Sequence, residues 1–527
     1  MGIHGLMSYV GEHNEFFLDL KLRNTKVIID GNNLYHRLYF DSNLDIRRGG
    51  DYDSFTDITH KFFETLTVCS IQAYVVLDGG CDASDKKLTT LKERAQEKIR
   101  SAHSLSRGGG GCVLPLLIRE VFKQILTQLQ VPFVQSFSEA DRDIVSFANH
   151  LNGLVLTLDS DFCIFDLRAG YCPLNYFQWR NLCTHKDSQD CYIPARCFSL
   201  ERFCNHFSNM NKTLLPLFAV MSGNDYINLP AMEMFFSKVI YRLLLNISQC
   251  SLSTSLNKPP VSSIFHEFDR SQLSLKKSFV QAAALPGNVC NDQYSLVMLN
   301  EVALADRLTL LLEALSVTGS ILEPIPRLLW LPVAVTCYWA QHSEPKVKLH
   351  HMKALLLGFV YGELHSVLHN PDPEIPAAEV NTIVYNQFLN WKQKKLQKEV
   401  LDLDTAHVFC QWQCCLQVGL YLNQLLSSPL PEPDLTRLYN GTLVHRLCRE
   451  LKSTSTPENI LSASPKMYQL YCNMVHIVKD SIPPNFFQKK KSKKRKNQAL
   501  AKKEGATVEA LPLCSVNNRF AAFMVED

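Results

Sequence analysis

The 527-residue sequence lacks the short signatures of several large enzyme classes. It contains no G-x-x-x-x-G-K-[ST], no H-E-x-x-H and no G-x-S-x-G, which disfavours a nucleotide cofactor, a zincin site and a hydrolase serine. Long hydrophobic runs are also missing: the most apolar stretches, near 328–340 and 354–360, are too short or too interrupted by Pro and Gly to span a bilayer. The opening MGIHGLMSYV has no basic segment leading into an apolar one, and Leu6 stands where myristoylation needs Ser or Thr, so no membrane association is expected. Charge of one sign is scarce too. Net charge is +3, but residues 489–503 hold nine of the 54 Lys and Arg and no acid, leaving 45 bases against 51 acids elsewhere. A generally basic coat for nucleic acid is thereby disfavoured, and any grip must come from local patches and metals. The 18 cysteines include no C-x-x-C pair and read as reduced thiols. Cys163, Cys172, Cys183, His185, Cys191, Cys197, Cys204 and His206 crowd one stretch, yet their irregular gaps argue against zinc.

From Lys26 to about Ser222, strand-like KVIID, AYVVLD, VPFVQS and LVLTLD alternate with helical runs such as SEADRDIVSFANHL. That alternation predicts an α/β domain over 1–245 with a mostly parallel central sheet. Residues 246–299, containing SQCSLSTSLNKPPVSS, read as a linker or shortened junction. An all-α domain is expected over 300–480: Leu304, Leu308, Leu311, Leu312 and Leu315 recur at helical spacing, and further helices centre near Leu355, Phe388, Cys410 and Leu443. The remainder, 481–527, carries KKKSKKRK over 489–496, a like-charge block expected to be disordered and to act as a nuclear localisation signal, alongside a cytosolic pool.

Seven carboxylates carry the chemistry: Asp30, Asp78, Glu139, Asp141, Asp159, Asp161 and Asp225. Four of them end the strand-like runs VIIDGNN, VVLDGG and LTLDSD, and parallel sheets place functional groups at those ends. Each has a plain alternative, since Ser138 with Asp141 could form a capping box and Asp159 with Asp161 a turn. Gathered in one cleft, the acids could not all stay ionised without hard divalent cations, which points to a magnesium-type, phosphate-handling site.

MGIHGLM, VIIDGNNLYH, VVLDGGCDASDKK, FSEADRD, LDSDFCIFD and SGNDY, in this order, resemble the flap endonuclease/XPG nuclease family, and within it the Asteroid homologue branch. The resemblance covers roughly 1–235 as a PIN-like nuclease core, and the helical second half is similar to Asteroid proteins alone. It implies a structure-specific DNA endonuclease, with a place in DNA repair, that hydrolyses phosphodiesters with two Mg2+ ions, Mn2+ being the alternative. It would assign Asp30, Asp78, Glu139 and Asp141 to one ion and Asp159, Asp161 and Asp225 to the other. It places Gly2 beside the scissile region, Lys86, Lys87, Lys92 and Arg94 on a gateway helix that clamps phosphate, and Tyr35 and His36 where an aromatic stacks on a nucleotide.

The sequence departs from the family in two places. SLSRGGGG follows the gateway helix, where four glycines disfavour a helical arch and suggest a flexible strap. After Asp225 the family's glycine turn that holds potassium and grips duplex is replaced by INLPAMEMFF, and the passage onward looks shortened. Single-stranded or overhang DNA is therefore the expected substrate, with protein partners reached through the helical domain. Two other readings stay open: a catalytically weak scaffold that recruits partners to DNA ends or in signalling, and an RNA-directed nuclease.

Overall fold

The computed structural model describes residues 2–3, 5–80, 88–184, 190–224, 263–269, 274–280, 301–369, 379–393, 401–453, 456–484 and 486–487. Asp225, Lys86, Lys87, His185, the INLPAMEMFF segment and the basic run 489–496 lie outside these residues.

The main sheet comprises β1 (Phe17–Leu22), β2 (Lys26–Asp30), β3 (Gln72–Leu77), β4 (Phe133–Gln135), β5 (Leu154–Thr157), β6 (Tyr171–Pro173), β7 (Cys183–Thr184) and β8 (Cys191–Phe198). Their order is β1-β8-β6-β5-β2-β3-β4, with β7 on β8. The pairs β2–β3, β2–β5, β3–β4 and β5–β6 are parallel, whereas β8 runs antiparallel to β1 and β6. This is the mostly parallel α/β sheet expected from the sequence.

Residue chemistry explains why these strands lie in the middle. In β2, Val27 and Ile29 enter one apolar core and Ile28 the other; Val75 and Leu77 against Val76, and Leu154 and Leu156 against Val155, repeat the pattern. Strands with both faces covered need apolar, largely β-branched residues at every position. The second core is closed by α1 (Leu6–Glu12), α6 (Asp141–Leu151), α7 (Leu200–His206) and α8 (Leu215–Ser222). On the opposite face lie α2 (Gly31–Asp41), α3 (Tyr52–Val68) and α5 (Ile118–Gln128), while α4 (Leu88–Ser106) precedes α5.

The first core continues without a break into the helical half. The helices Leu304–Ala314, Leu349–His369, Glu379–Gln393, Leu403–Leu425 and Gly441–Lys452 fall where leucine spacing predicts them. One more, Trp330–His342, occupies an apolar stretch noted above; it is buried all round, as befits a central helix. Among the described residues no helix is long and apolar enough to cross a membrane. The two halves meet closely: Gly441 N–H donates to the Gly50 carbonyl at 2.8 Å, and a Cβ at Gly441 would stand 2.2 Å from the Arg48 carbonyl oxygen. Inside the stretch read as a linker, β9 (Ser263–Asp269) and β10 (Ser274–Val280) pair antiparallel.

The glycine run after α4 differs from the expected flexible strap. Gly108 and Gly109 donate N–H to the carbonyls of Leu105 and Ser104 at 3.1 and 2.9 Å, folding the chain back on the last turn of α4. A Cβ on Gly109 would meet Ser104 Oγ at 2.5 Å, and one on Gly111 the Ser101 carbonyl at 2.7 Å. Gly109 and Gly111 thus serve close packing against the helix.

Candidate metal centre

The parallel strands leave β2 toward β3 on one side, while β5 and β6 continue on the other, so the crevice beyond the carboxyl ends of β2 and β5 is a topological switch point. Asp30 ends β2, Asp78 follows β3, and Asp159 and Asp161 follow β5. Asp141 opens α6, with Glu139 just before it. Sheet topology thus brings six of the seven expected acids to one end of the sheet.

Asp30 is 6% exposed and its carboxylate is fixed: Oδ1 accepts from Asn33 N at 3.1 Å, and Oδ2 accepts from Thr157 Oγ1 at 2.7 Å and from Asn33 Nδ2. Burial pushes its pKa up to about 6, with the Asp78 charge adding to the effect. Asp78 is held from two sides, Oδ2 by Asn32 Nδ2 at 2.8 Å and Oδ1 by the backbone N–H of Ala140 at 2.9 Å. Asp159 Oδ1 accepts the Asp161 N–H at 3.3 Å, so the expected turn and the acid pair coexist. The capping box does not form: the residue preceding α6 is Ala140 and no side chain caps the helix.

Ligand-capable oxygens of Asp141, Asp159 and Asp161 all lie within 4.8 Å of one another. Asp141 is pushed up to about 8, first by burial and then by the charges of Asp159, Asp30, Asp161 and Glu139. A buried carboxylate that resists ionisation beside four other acids marks a site suited to a cation. The donor set is all oxygen, which suits Mg2+ or Mn2+ over softer ions. Gly2 sits at φ +79°, and a Cβ there would lie 2.1 Å from Asp159 Oδ1, 2.5 Å from Ser160 Oγ and 2.8 Å from Asp161 Oδ1. The amino-terminal segment therefore lies against the acids.

Comparison with known proteins places the chain. The Asteroid N-terminal domain model matches residues 328–490, in the helical half. The human protein named single-strand DNA endonuclease ASTE1 is 44% identical over 674 aligned positions, covering 100% of this chain and 98% of its own length; the mouse protein of that name is 45% identical over 664, with the same coverage. The chain belongs to the Asteroid family. Because the human alignment runs to 674 positions and this chain has 527 residues, its Asteroid relative holds stretches that this chain lacks. Among solved structures, the catalytic core of Rad2 in complex with DNA is 15% identical, with a TM-score of 0.29 over 43% of this chain and 61% of that one.

Not every expected residue of this Asteroid chain reaches the site. Tyr35 is 5% exposed and packs edge-on against Phe122 at 5.6 Å, so its ring has no open face for a base; the stacking role expected of it is corrected to a core role. His36 is exposed on α2, its ring 4.6 Å from Phe40. Partial desolvation lowers the His36 pKa, and the charge of Lys98 on α4 lowers it further. Lys92 and Arg94 stand half-buried on α4.

Sequence reasoning passed over the residues that hold the acids. Asn32, Asn33 and Thr157 orient Asp78 and Asp30, and Arg119 donates through Nη2 to the Asp78 carbonyl. The adjacent asparagines of DGNN were the available signal, since paired amides beside an acid are suited to fixing carboxylates.

A second group of ligand-type atoms, from His350, His351 and Cys448, lies in the helical half. His351 Nδ1 accepts the Lys348 N–H at 3.3 Å, and the charges of Lys348 and Lys452 bear on both histidines. Positive charge already surrounds this group, the reverse of the acidic site. Cys163, Cys172, Cys197 and Cys204 are buried free thiols whose pKa values burial raises.

Proposed function

We propose that this chain is a metal-dependent endonuclease that hydrolyses phosphodiester bonds in single-stranded or overhang DNA. The observation that carries the reading is the convergence of Asp141, Asp159 and Asp161, whose ligand-capable oxygens lie within 4.8 Å of one another; burial first, and then the charges of Asp159, Asp30, Asp161 and Glu139, push Asp141 up to about 8, and such a group calls for cationic partners. The curated relatives, matched over nearly their whole length, bear the name single-strand DNA endonuclease, and that name supports the substrate class.

Asp141, Asp159 and Asp161 would hold one divalent ion among them, with Asp30, Asp78 and Glu139 completing the acid shell; Asp225, which the sequence resemblance adds to the set, lies outside the described residues. Bound there, such ions lower the pKa of water and neutralise charge on the leaving oxygen. The chain's own part is positional. Thr157 and Asn33 keep Asp30 in one rotamer, Asn32 and the Ala140 N–H do so for Asp78, and Gly2 leaves room where a side chain would displace Asp159. A role in DNA repair and delivery to the nucleus through the basic run 489–496 complete the proposal.

The test is cleavage of single-stranded, overhang, flap and blunt duplex DNA, with matched RNA, in Mg2+ and in EDTA. Metal-dependent cutting of single strands that Asp161→Asn abolishes is expected. Equal cutting of blunt duplex would remove the single-strand preference, and activity in EDTA would remove the metal.

A further inference from the structure

We infer that Phe137 is a nucleobase-stacking platform at the lip of the acidic site. Its side chain is 103% exposed, the most exposed of the large hydrophobic residues among those described. Leaving such a ring in water forgoes the stabilisation that burying it would give, and the fold itself does not recover it.

The ring does not hang on a loose loop. Ser136 N–H donates to the Leu77 carbonyl at 2.9 Å, Gly79 N–H to the Ser138 carbonyl at 2.6 Å, and Gly80 N–H to the Phe137 carbonyl at 3.2 Å. Ser136 Oγ donates to Asp143 Oδ2 at 2.6 Å. Gly79 makes this clamp feasible, since a Cβ there would fall 2.0 Å from the Ser136 carbonyl oxygen. The segment carrying Phe137 is thus bound to the segment carrying Asp78, and Phe137 lies two residues before Glu139. A flat apolar surface is held in the open beside groups suited to phosphate chemistry.

Nucleic acid strands present phosphates and π-faces alternately, and an aromatic ring stacks on any base, which gives affinity without sequence preference. In a duplex those faces are already stacked and must be exposed at a cost; in a single strand they are available. Phe137 would therefore favour single strands. The inference rests on the endonuclease reading and adds a specificity element to it.

The experiment uses the full chain carrying Asp161→Asn, so that DNA is bound in Mg2+ without being cut, and compares it with the same chain carrying Phe137→Ala, Phe137→Leu or Phe137→Trp. Anisotropy of a labelled single strand should show about tenfold weaker binding for Ala, a similar loss for Leu and retention for Trp. On oligonucleotides with one abasic nucleotide walked along the strand, the Ala penalty should vanish at one position, and blunt duplex binding should not change. Unchanged thermal midpoints would confirm that the exposed substitution leaves the fold alone. Equal single-strand affinity of the Ala variant and its parent overturns the inference, as does an equal loss on every oligonucleotide. Should the Asp161→Asn parent not bind single strands at all, the endonuclease reading fails first and the platform with it.

Discussion

Lys392, in the helical half, places its ammonium 2.6 Å from Oδ2 of Asp53 on α3. Asp53 is nearly fully buried and also accepts from Asn440 Nδ2 at 2.8 Å. Burial alone would raise its pKa, but the charges of Lys392 and Arg437 outweigh that and hold it below the usual carboxylate value. Thr442 Oγ1 donates to Asp51 Oδ2 at 2.7 Å, and Tyr52 donates its hydroxyl proton to Gln413 Oε1 at the same distance. The halves share polar contacts as well as a core.

Lys392→Met should therefore destabilise the whole chain. It leaves the Asp53 carboxylate buried without its cation, a change that costs about 3–5 kcal/mol when one partner of a buried pair is removed. Calorimetry should show a single transition moving to lower temperature. Two transitions, with only one displaced, would mean that the halves unfold independently.

Asp141→Asn should separate stability from catalysis. Four neighbouring acids and burial oppose ionisation of Asp141, so the neutral amide relieves repulsion in the metal-free protein. The expected outcome in EDTA is a higher thermal midpoint than the parent's, together with a smaller upward shift on adding Mg2+. Cutting should fall by about a thousandfold or more, since metal sites supply several kcal/mol of transition-state stabilisation. An unaltered Mg2+ shift would show that Asp141 is not a ligand.

How far the sequence could be read depended on whether the signal was local. KVIID, AYVVLD and LVLTLD are apolar at successive positions because both faces are covered, so strand and class were legible without partners. The acids were legible because each ends or follows such a strand. Tyr35 was not: on α2 its ring turns inward against Phe122, and only the position of α5 decides that. Gly108–Gly111 suggested freedom, whereas the close approach of Gly109 to Ser104 and of Gly111 to Ser101 appears only once α4 is in place. The joint between the halves was hidden for a similar reason, because Asp53 and Lys392 are 339 residues apart in the chain.

Acid should weaken the protein through its helical half. Burial, followed by the charges of Lys452, Lys348, Arg48 or neighbouring histidines, lowers His350 from 6.5 to about 4, and His351 and His445 to about 3. Below 6.5 the unfolded chain binds protons that the folded chain refuses. Stability from these groups is therefore complete above pH 6.5 and is lost as pH falls toward 3, at about 1.4 kcal/mol per pH unit for each of the buried His351 and His445, with the half-exposed His350 adding less. Urea titrations between about pH 4 and pH 7 should show this slope. His445→Phe, whose ring would stay against Phe409, should reduce it by one proton's worth; an unchanged slope would mean that His445 is already charged in the folded state.

Gly2→Ala should lower activity sharply with little effect on stability. The backbone there is left-handed, at φ +79°, and the added methyl would need the space of the Asp159 and Asp161 carboxylate oxygens, 2.1 and 2.8 Å from the ideal Cβ position. Either the amino-terminal segment lifts away or the acids turn from their present positions, and both outcomes disturb the metal set. The rest of the fold gains little from Gly2, because Ile3, Leu6 and Val10 anchor the segment in the second core. Single-turnover cleavage should fall by about a hundredfold, and the Mg2+-induced rise in thermal midpoint should shrink with it. Normal cleavage by Gly2→Ala would separate the amino-terminal segment from the chemistry. A fall in activity with the Mg2+ shift intact would instead mean that the methyl obstructs the path of the DNA strand past Asp159 while leaving the metal ligands in place.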